Sequence, residues 1–248
     1  MLPDDYADIV IYNRNFELHK GGKVVAKPFT YTVAQLEQEL RLSPCSGQRL
    51  TSDAQVENAL MPPLVISFYE FVFEHSTLPT DKELVQYYIA YYYKPVSQNP
   101  SLVKIKPAYA ACGSSRELSV VGVKNRLLRM YPSLVRDLHF MMLCHESGSF
   151  SDVYYSVKQD YALGYDLVVK RNNVKVYVRL MVETKRSQEY NSKKFTRHDM
   201  SQKNIFELKI RLSPERKLGE FFLYNKQDLL KLVQHIDANA APAQPGTV

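Results

Sequence analysis

The 248-residue sequence contains no tryptophan, nine glycines and three cysteines. Cys45, Cys112 and Cys144 are odd in number and far apart, which fits neither the paired spacing of a zinc site nor the density of a secreted disulfide scaffold. They read as reduced thiols of a cytoplasmic protein. No apolar run reaches the roughly 18 uncharged residues that a membrane helix needs. The N-terminal stretch MLPDDYADIVIYNRN is acidic and lacks the basic-then-apolar order of a secretion signal, so neither export nor a membrane span is expected. There is no GxxxxGK(S/T) phosphate loop and no GxSxG nucleophile turn, which leaves nucleotide hydrolysis and serine or cysteine hydrolysis without support. His19, His75, His139, His145, His198 and His235 show no HxH or HExxH spacing, which disfavours a zinc hydrolase.

What is present is ordinary for a folded chain: 45% hydrophobic and 23% charged residues, with length for one to two domains and a sizeable core. The formal charge of +6 is unevenly placed. Val168 to Lys217 holds fourteen Lys and Arg against five acids, a local charge of +9 that leaves the remainder at −3. Such a concentration fits a polyanionic partner, since each neutralised phosphate releases counterions; a solvated basic face is the plainer alternative.

The first segment alternates β-branched and aromatic with polar residues around Gly21 and Gly22, the pattern of a hairpin. Thr32 caps a short helix, VAQLEQELRL, and SPCSGQRLTSDAQ reads as loop. LVISFYEFVFEH is a strongly apolar helix stopped by STLP, and Thr80 with Glu83 forms a capping box for DKELVQYYIAYYY. A helical hairpin with Tyr and Phe in its core fits this pair better than a DNA-reading helix-turn-helix, because the second helix offers only Lys82 before Lys94. Pro95 to Pro107 is a proline-punctuated connection. VVGVKNRLLRMYPSLVRDLHFMMLCHE is helical, with Pro132 expected to divide it into two helices. FSDVYYSVKQD, Tyr165 to Arg171 and VKVYVRLMVETK then read as three strands, with Asn172 and Asn173 supplying a tight turn. A polar crossover, SQEYNSKKFTRHDMSQKN, leads to strands NIFELKIRL and GEFFLYN and a closing amphipathic helix, KQDLLKLVQHIDANA. The expected organisation is a mixed, largely helical module over residues 1–106, an α/β (α+β) domain over 107–239 and a frayed tail over 240–248.

Asp166, at the head of the second strand, and Glu183, near the end of the third, carry the chemistry. Counted from the Asn172–Asn173 turn, Asp166 lies six residues before it and Glu183 ten after it, so they share one end of the hairpin only if a bulge absorbs the difference. Glu183 and Lys185 are two apart and face one side of the sheet. Paired carboxylates suit a hard divalent cation such as Mg²⁺ or Mn²⁺, and a nearby ammonium can orient water and stabilise charge on a phosphorane-like transition state. The plainer alternative is strand-end charge paired with Lys185 or Arg186, worth about 0–1 kcal/mol when exposed.

With Gly164-Tyr165-Asp166 and Glu183-Thr184-Lys185 in that order, the segment from Tyr131 to Asn239 resembles the PD-(D/E)xK nuclease superfamily, the restriction-endonuclease-like αβββαβ fold. Tyr165 stands where the family has proline. The resemblance implies metal ligation by Asp166 and Glu183, a third contact through the Thr184 carbonyl, and a water-positioning Lys185. A further acid on the preceding helix is matched best by Asp137, with Glu146 second. In this fold the helix after the catalytic strand borders the substrate groove, which makes Arg186, Lys193, Lys194 and Arg197 candidates for phosphate contacts.

The expected function is therefore Mg²⁺- or Mn²⁺-dependent phosphodiester hydrolysis by in-line attack of water, on DNA before RNA. A defence system such as antiviral defence, a mobile element or repair is the implied setting, with a protein partner supplying recognition or a motor and with self-association left open. Two other readings stay open. One is a non-catalytic nucleic-acid-binding or assembly subunit that keeps the fold. The other is a partner-binding protein whose interface is the tyrosine-rich run Tyr87 to Tyr93.

Overall fold

A computed structural model describes residues 8–20, 22–43, 50–184 and 204–240. The chain folds as a mixed α/β protein around a seven-stranded sheet with strand order β10-β9-β8-β7-β1-β2-β3. Strands β1 (Asp8–Tyr12), β2 (Asn15–Lys20) and β3 (Lys23–Pro28) form an antiparallel meander. Asn13, at φ 50°, opens the first turn, and Gly22, at φ 74°, closes the second. Strand β1 then pairs antiparallel with β7 (Asp152–Ser156), Val10 lying against Ser156. The N-terminal segment therefore extends the same sheet as the later strands, and one hydrophobic core runs from Ile9 to Ile236. The connection around residue 106 does not separate two cores.

Local chemistry explains most helix boundaries. Helix α1 (Val33–Leu42) starts at a Thr32–Gln35 capping box, and the short α2 (Ala54–Glu57) starts where Asp53 accepts from the Gln55 and Val56 amides. Helices α3 (Leu64–His75) and α4 (Asp81–Tyr92) form the expected hairpin: Ser76 in the left-handed region ends the first, and the Thr80–Glu83 box begins the second. Tyr88 and Tyr92 are fully buried, Tyr88 donating to the Pro62 carbonyl at 2.7 Å. The tyrosine run thus turns largely inward, each buried ring contributing about 1.5–3 kcal/mol of apolar burial, and is not an exposed interface.

Three sequence expectations change. Residues 93–105 form a hairpin of β4 (Tyr93–Val96) and β5 (Asn99–Ile105), to which β6 (Leu118–Ser119) adds a third strand, with a 3-10 turn at Pro107–Cys112 between β5 and β6. Helix α5 runs unbroken from Val120 to Glu146 with Pro132 inside it. A proline costs a helix interior about 3 kcal/mol; Leu127, Leu128, Tyr131, Val135 and Leu138, all buried on either side, outweigh that. Finally, FSDVYYSVKQD is strand only through Ser156. The Ser156 hydroxyl accepts from the Gln159 amide and starts helix α6 (Val157–Leu163), which ends at Gly164, φ 68°.

Strands β8 (Leu167–Arg171) and β9 (Val174–Val182) form the expected hairpin, with Asn172 at φ 50° and Asn173 at φ 63°. Strand β10 (Ile205–Ile210) lies parallel to β9. Beyond it, β11 (Lys217–Leu218) and β12 (Phe221–Phe222) make a small separate ladder, and of the strand expected for GEFFLYN only Phe221–Phe222 is strand. Helix α7 (Lys226–Asn239) closes the fold from an Asn225–Asp228 capping box. No helix among the described residues is long and apolar enough to cross a membrane.

Candidate functional site

The candidate residues come from α5, α6 and the ends of β8 and β9. Asp166 directly precedes β8, and the irregularity beside it does not bring Glu183 level with it. The register sets Leu167 against Val178, yet the Asp166 amide also donates to the Val178 carbonyl, at 2.9 Å. Two successive residues thus share one position on β9, as in a β-bulge. The Asp166 carboxylate then takes over as acceptor for the next free amide: Leu180 donates to its Oδ2 at 2.7 Å. Arg179 holds the preceding turn, its guanidinium donating to the Gly164 carbonyl at 3.1 Å and the Leu163 carbonyl at 3.5 Å. These are the last carbonyls of α6, the end of a helix that favours a cation.

Asp137 lies on α5. Burial pushes the phenols of Tyr69 and Tyr155 well up, and the charges of Asp137, Asp160 and Asp166 push both further. Burial likewise raises Tyr224, with Asp137 and Asp166 adding to the shift. All three phenols therefore stay protonated and available as donors. The Tyr224 hydroxyl lies 3.2 Å from the Met181 carbonyl and 3.4 Å from the Leu208 carbonyl, so it sits beneath β9 and β10, one residue along from the amide that Asp166 holds. Tyr155 donates to Asp160 Oδ2 at 3.4 Å, and its ring centroid lies 5.0 Å from that of Tyr69. Asp137, Asp160 and Asp166 thus each add to the upward shift of Tyr69 and Tyr155.

Asp160 is the member that sequence reasoning missed. The signal was present: Ser156 followed three residues later by Gln159 is a helix-start signature, and Gly164 is a helix stop. Read as a strand, VKQD places Asp160 elsewhere. Glu146, the second choice on α5, is committed to structure, its Oε1 accepting from the Val33 amide at 2.8 Å. His139 is structural as well, buried with Nε2 3.1 Å from Glu37 Oε1, and it holds the Glu37 carboxyl below the usual range.

Glu183 is placed differently. It lies just past the end of β9, still tied to the sheet by its amide, which donates to the Ile210 carbonyl at 2.8 Å. Its carboxylate accepts from Arg211 Nε at 2.8 Å, and its charge also raises Lys209 together with the larger effect of Glu207. From Leu180, where Asp166 is anchored, Glu183 is three residues on, about 10 Å along a strand. Thr184 follows, its amide donating to the Val182 carbonyl at 2.9 Å. Lys185, Arg186, Lys193, Lys194 and Arg197 lie outside the described residues.

The described basic residues of the +9 segment divide clearly. Arg171, Arg179, Lys209, Arg211, Arg216 and Lys217 each form an ion pair with a carboxylate. Lys170 and Lys175 form none among the described residues, although they stand opposite each other on β8 and β9.

For a divalent ion the donor type fits: Asp137 and Asp166 are hard oxygen donors, and Mg²⁺ needs only one or two carboxylates when water and phosphate complete its shell. Among the described residues, no group of three or more His, Cys, Asp or Glu side chains is arranged to hold a metal ion. No protein-family model, curated protein or solved structure matches the chain.

Proposed function

We propose that this protein is a metal-dependent nuclease that hydrolyses phosphodiester bonds, DNA before RNA, on a restriction-endonuclease-like core to which α5, β7, β8, β9 and β10 belong. One observation supports the reading: Asp166 stands at the head of β8 with its carboxylate accepting from the Leu180 amide at 2.7 Å, and Glu183 lies just past the end of the paired strand β9. Asp166 and Asp137 hold Mg²⁺ or Mn²⁺, joined by Glu183 when its side chain leaves Arg211, and by the Thr184 carbonyl. Bound there, the ion supplies Lewis-acid stabilisation of the phosphoryl oxygens. Lys185 orients the attacking water, Arg179 keeps Asp166 in place through the α6 carbonyls, and Arg186, Lys193, Lys194 and Arg197 contact phosphates. The segment's +9 charge supports a polyanionic substrate, and a partner supplying recognition or a motor fits a chain with no phosphate loop of its own.

A second reading, a non-catalytic nucleic-acid-binding subunit with a degenerate site, draws on the Glu183–Arg211 pair, which holds one expected ligand away from the other two. Incubation with supercoiled plasmid, linear duplex and single-stranded oligonucleotides, in Mg²⁺, Mn²⁺ or EDTA, separates the two. Cleavage in metal that is abolished by Asp166→Ala, Glu183→Ala and Lys185→Ala is the expected result. Cleavage unchanged in all three variants removes the site assignment, and metal-independent binding without any cleavage selects the second reading.

A further inference from the structure

The face of the large sheet turned away from α3, α5 and α7 carries a row of aromatic rings. Strand pairing sets Tyr12 against Tyr154, Tyr154 against Val168 and Val168 against Tyr177, one residue from each of four neighbouring strands. Their chain neighbours, among them Ile11, Val153, Val169 and Val178, point the other way into the core, so the row lies on the outer face. Tyr12 is 43% exposed, Tyr154 and Tyr177 are half-buried, and the buried Val168 forms an apolar floor between them. The Tyr12 and Tyr154 rings meet edge to face at 6.4 Å.

One step along the strands, Lys170 and Lys175 stand side by side. Like charges directly opposite on neighbouring strands are destabilising, and the rest of the described basic segment avoids that by pairing with acids. Lys175 Nζ lies 5.0 Å from the Tyr177 ring centroid, at the end of the aromatic row. Asp152 stands directly opposite Lys170 and also accepts from the Tyr12 hydroxyl, while Glu17 lies 2.8 Å from His19 Nε2, so among the described residues of this row Lys175 is the lysine with no acid opposite it. Flat rings in a row beside Lys175 and Lys170 match a chain of bases and phosphates.

We infer that this face binds single-stranded nucleic acid, with bases stacking on Tyr12, Tyr154 and Tyr177 and the backbone passing Lys170 and Lys175. A duplex keeps its bases stacked on one another and offers no free ring faces, whereas a single strand can splay them onto a sheet. The inference names the substrate class of the proposed nuclease and rests on that reading only for its biological purpose; binding itself needs neither metal nor cleavage.

The test is fluorescence anisotropy of a labelled 15-nucleotide single strand and of the matching 15-bp duplex, measured in EDTA over a series of salt concentrations. Tighter binding of the single strand is expected, weakened roughly 5- to 150-fold by Tyr154→Ala or Tyr177→Ala and retained in the corresponding Phe variants. Where an alanine variant unfolds, the Lys170→Ala/Lys175→Ala double variant carries the test. Its salt slope should fall by about 1.4, two phosphate contacts at ~0.7 each for a single strand. Equal binding of the duplex, or single-strand binding that neither the ring nor the lysine variants alter, overturns the inference. Cleavage that survives with this binding lost refutes the platform and leaves the nuclease; binding kept by Asp166→Ala without cleavage supports the platform alone.

Discussion

Replacing Asp228 with asparagine removes the counter-charge of an almost enclosed guanidinium. Asp228 is fully buried at the start of α7 and Arg216 is 12% exposed; the guanidinium grips the carboxylate through both terminal nitrogens, one of them 3.0 Å from Oδ1. The Asn225 amide also donates to Oδ2, at 3.0 Å. An asparagine can keep that last bond but strands the guanidinium, and breaking one partner of a buried pair costs about 3–5 kcal/mol. At roughly 2–4 °C per kcal/mol for a chain of this size, Tm should fall by about 6–20 °C. The pH dependence follows from the same contacts. Burial alone would lift the Asp228 carboxyl, but Arg216 and the backbone amide outweigh it and hold the group below the usual range. Its contribution is then complete above the unfolded value near ~3.9 and lost as pH falls through the lower folded value. Thermal unfolding followed by circular dichroism should show the full gap at pH 7 and a narrowing gap below about pH 4. A Tm within ~1 °C of wild type at pH 7, or a gap undiminished in acid, would refute the reasoning.

Three further outcomes are expected. Pro132→Ala should raise Tm, since alanine restores a donor inside a helix that already runs through this position, a gain of up to about 3 kcal/mol; a lower Tm would mean that α5 depends on the proline. Thr80→Ala should lower Tm by about 2–4 °C for a lost N-cap worth ~1 kcal/mol, checked by the same melts. Arg211→Ala removes an ion pair between side chains 86% and 38% exposed, so Tm should hardly move, while Glu183 is released and half-maximal cleavage should need less Mg²⁺; a higher requirement would count against Glu183 as a ligand.

The elements legible in the sequence are those whose signals lie within a few residues. The Thr32–Gln35 and Thr80–Glu83 boxes, the Asn172–Asn173 turn and the amphipathic α7 all stand as read. What was not legible depends on distant partners. Nothing near Val10 announces that it pairs with Ser156, and that pairing merges the N-terminal meander with the later strands. Pro132 argues for a break by its local chemistry, and only burial on both sides overrides it. In the candidate site Asp166 is named by its place at the head of an apolar strand, and Asp137 only by what the resemblance implies for the preceding helix. Asp160 was lost because VYYS and VKQD alternate alike, and a serine cap decides where the strand stops. The engagement of Glu183 depends on Arg211, just past the end of β10, a contact that spacing within one hairpin does not contain.

The central claim is that Asp166 and Glu183 can share one divalent ion beside Asp137. Crystals grown with Mn²⁺ test it most directly. An anomalous peak bonded at ~2.1–2.2 Å to carboxyl oxygens of Asp166 and Glu183, with Arg211 displaced, is the expected result. Carboxyl oxygens of the two residues more than ~8 Å apart, with no anomalous density between them at saturating Mn²⁺, would contradict it.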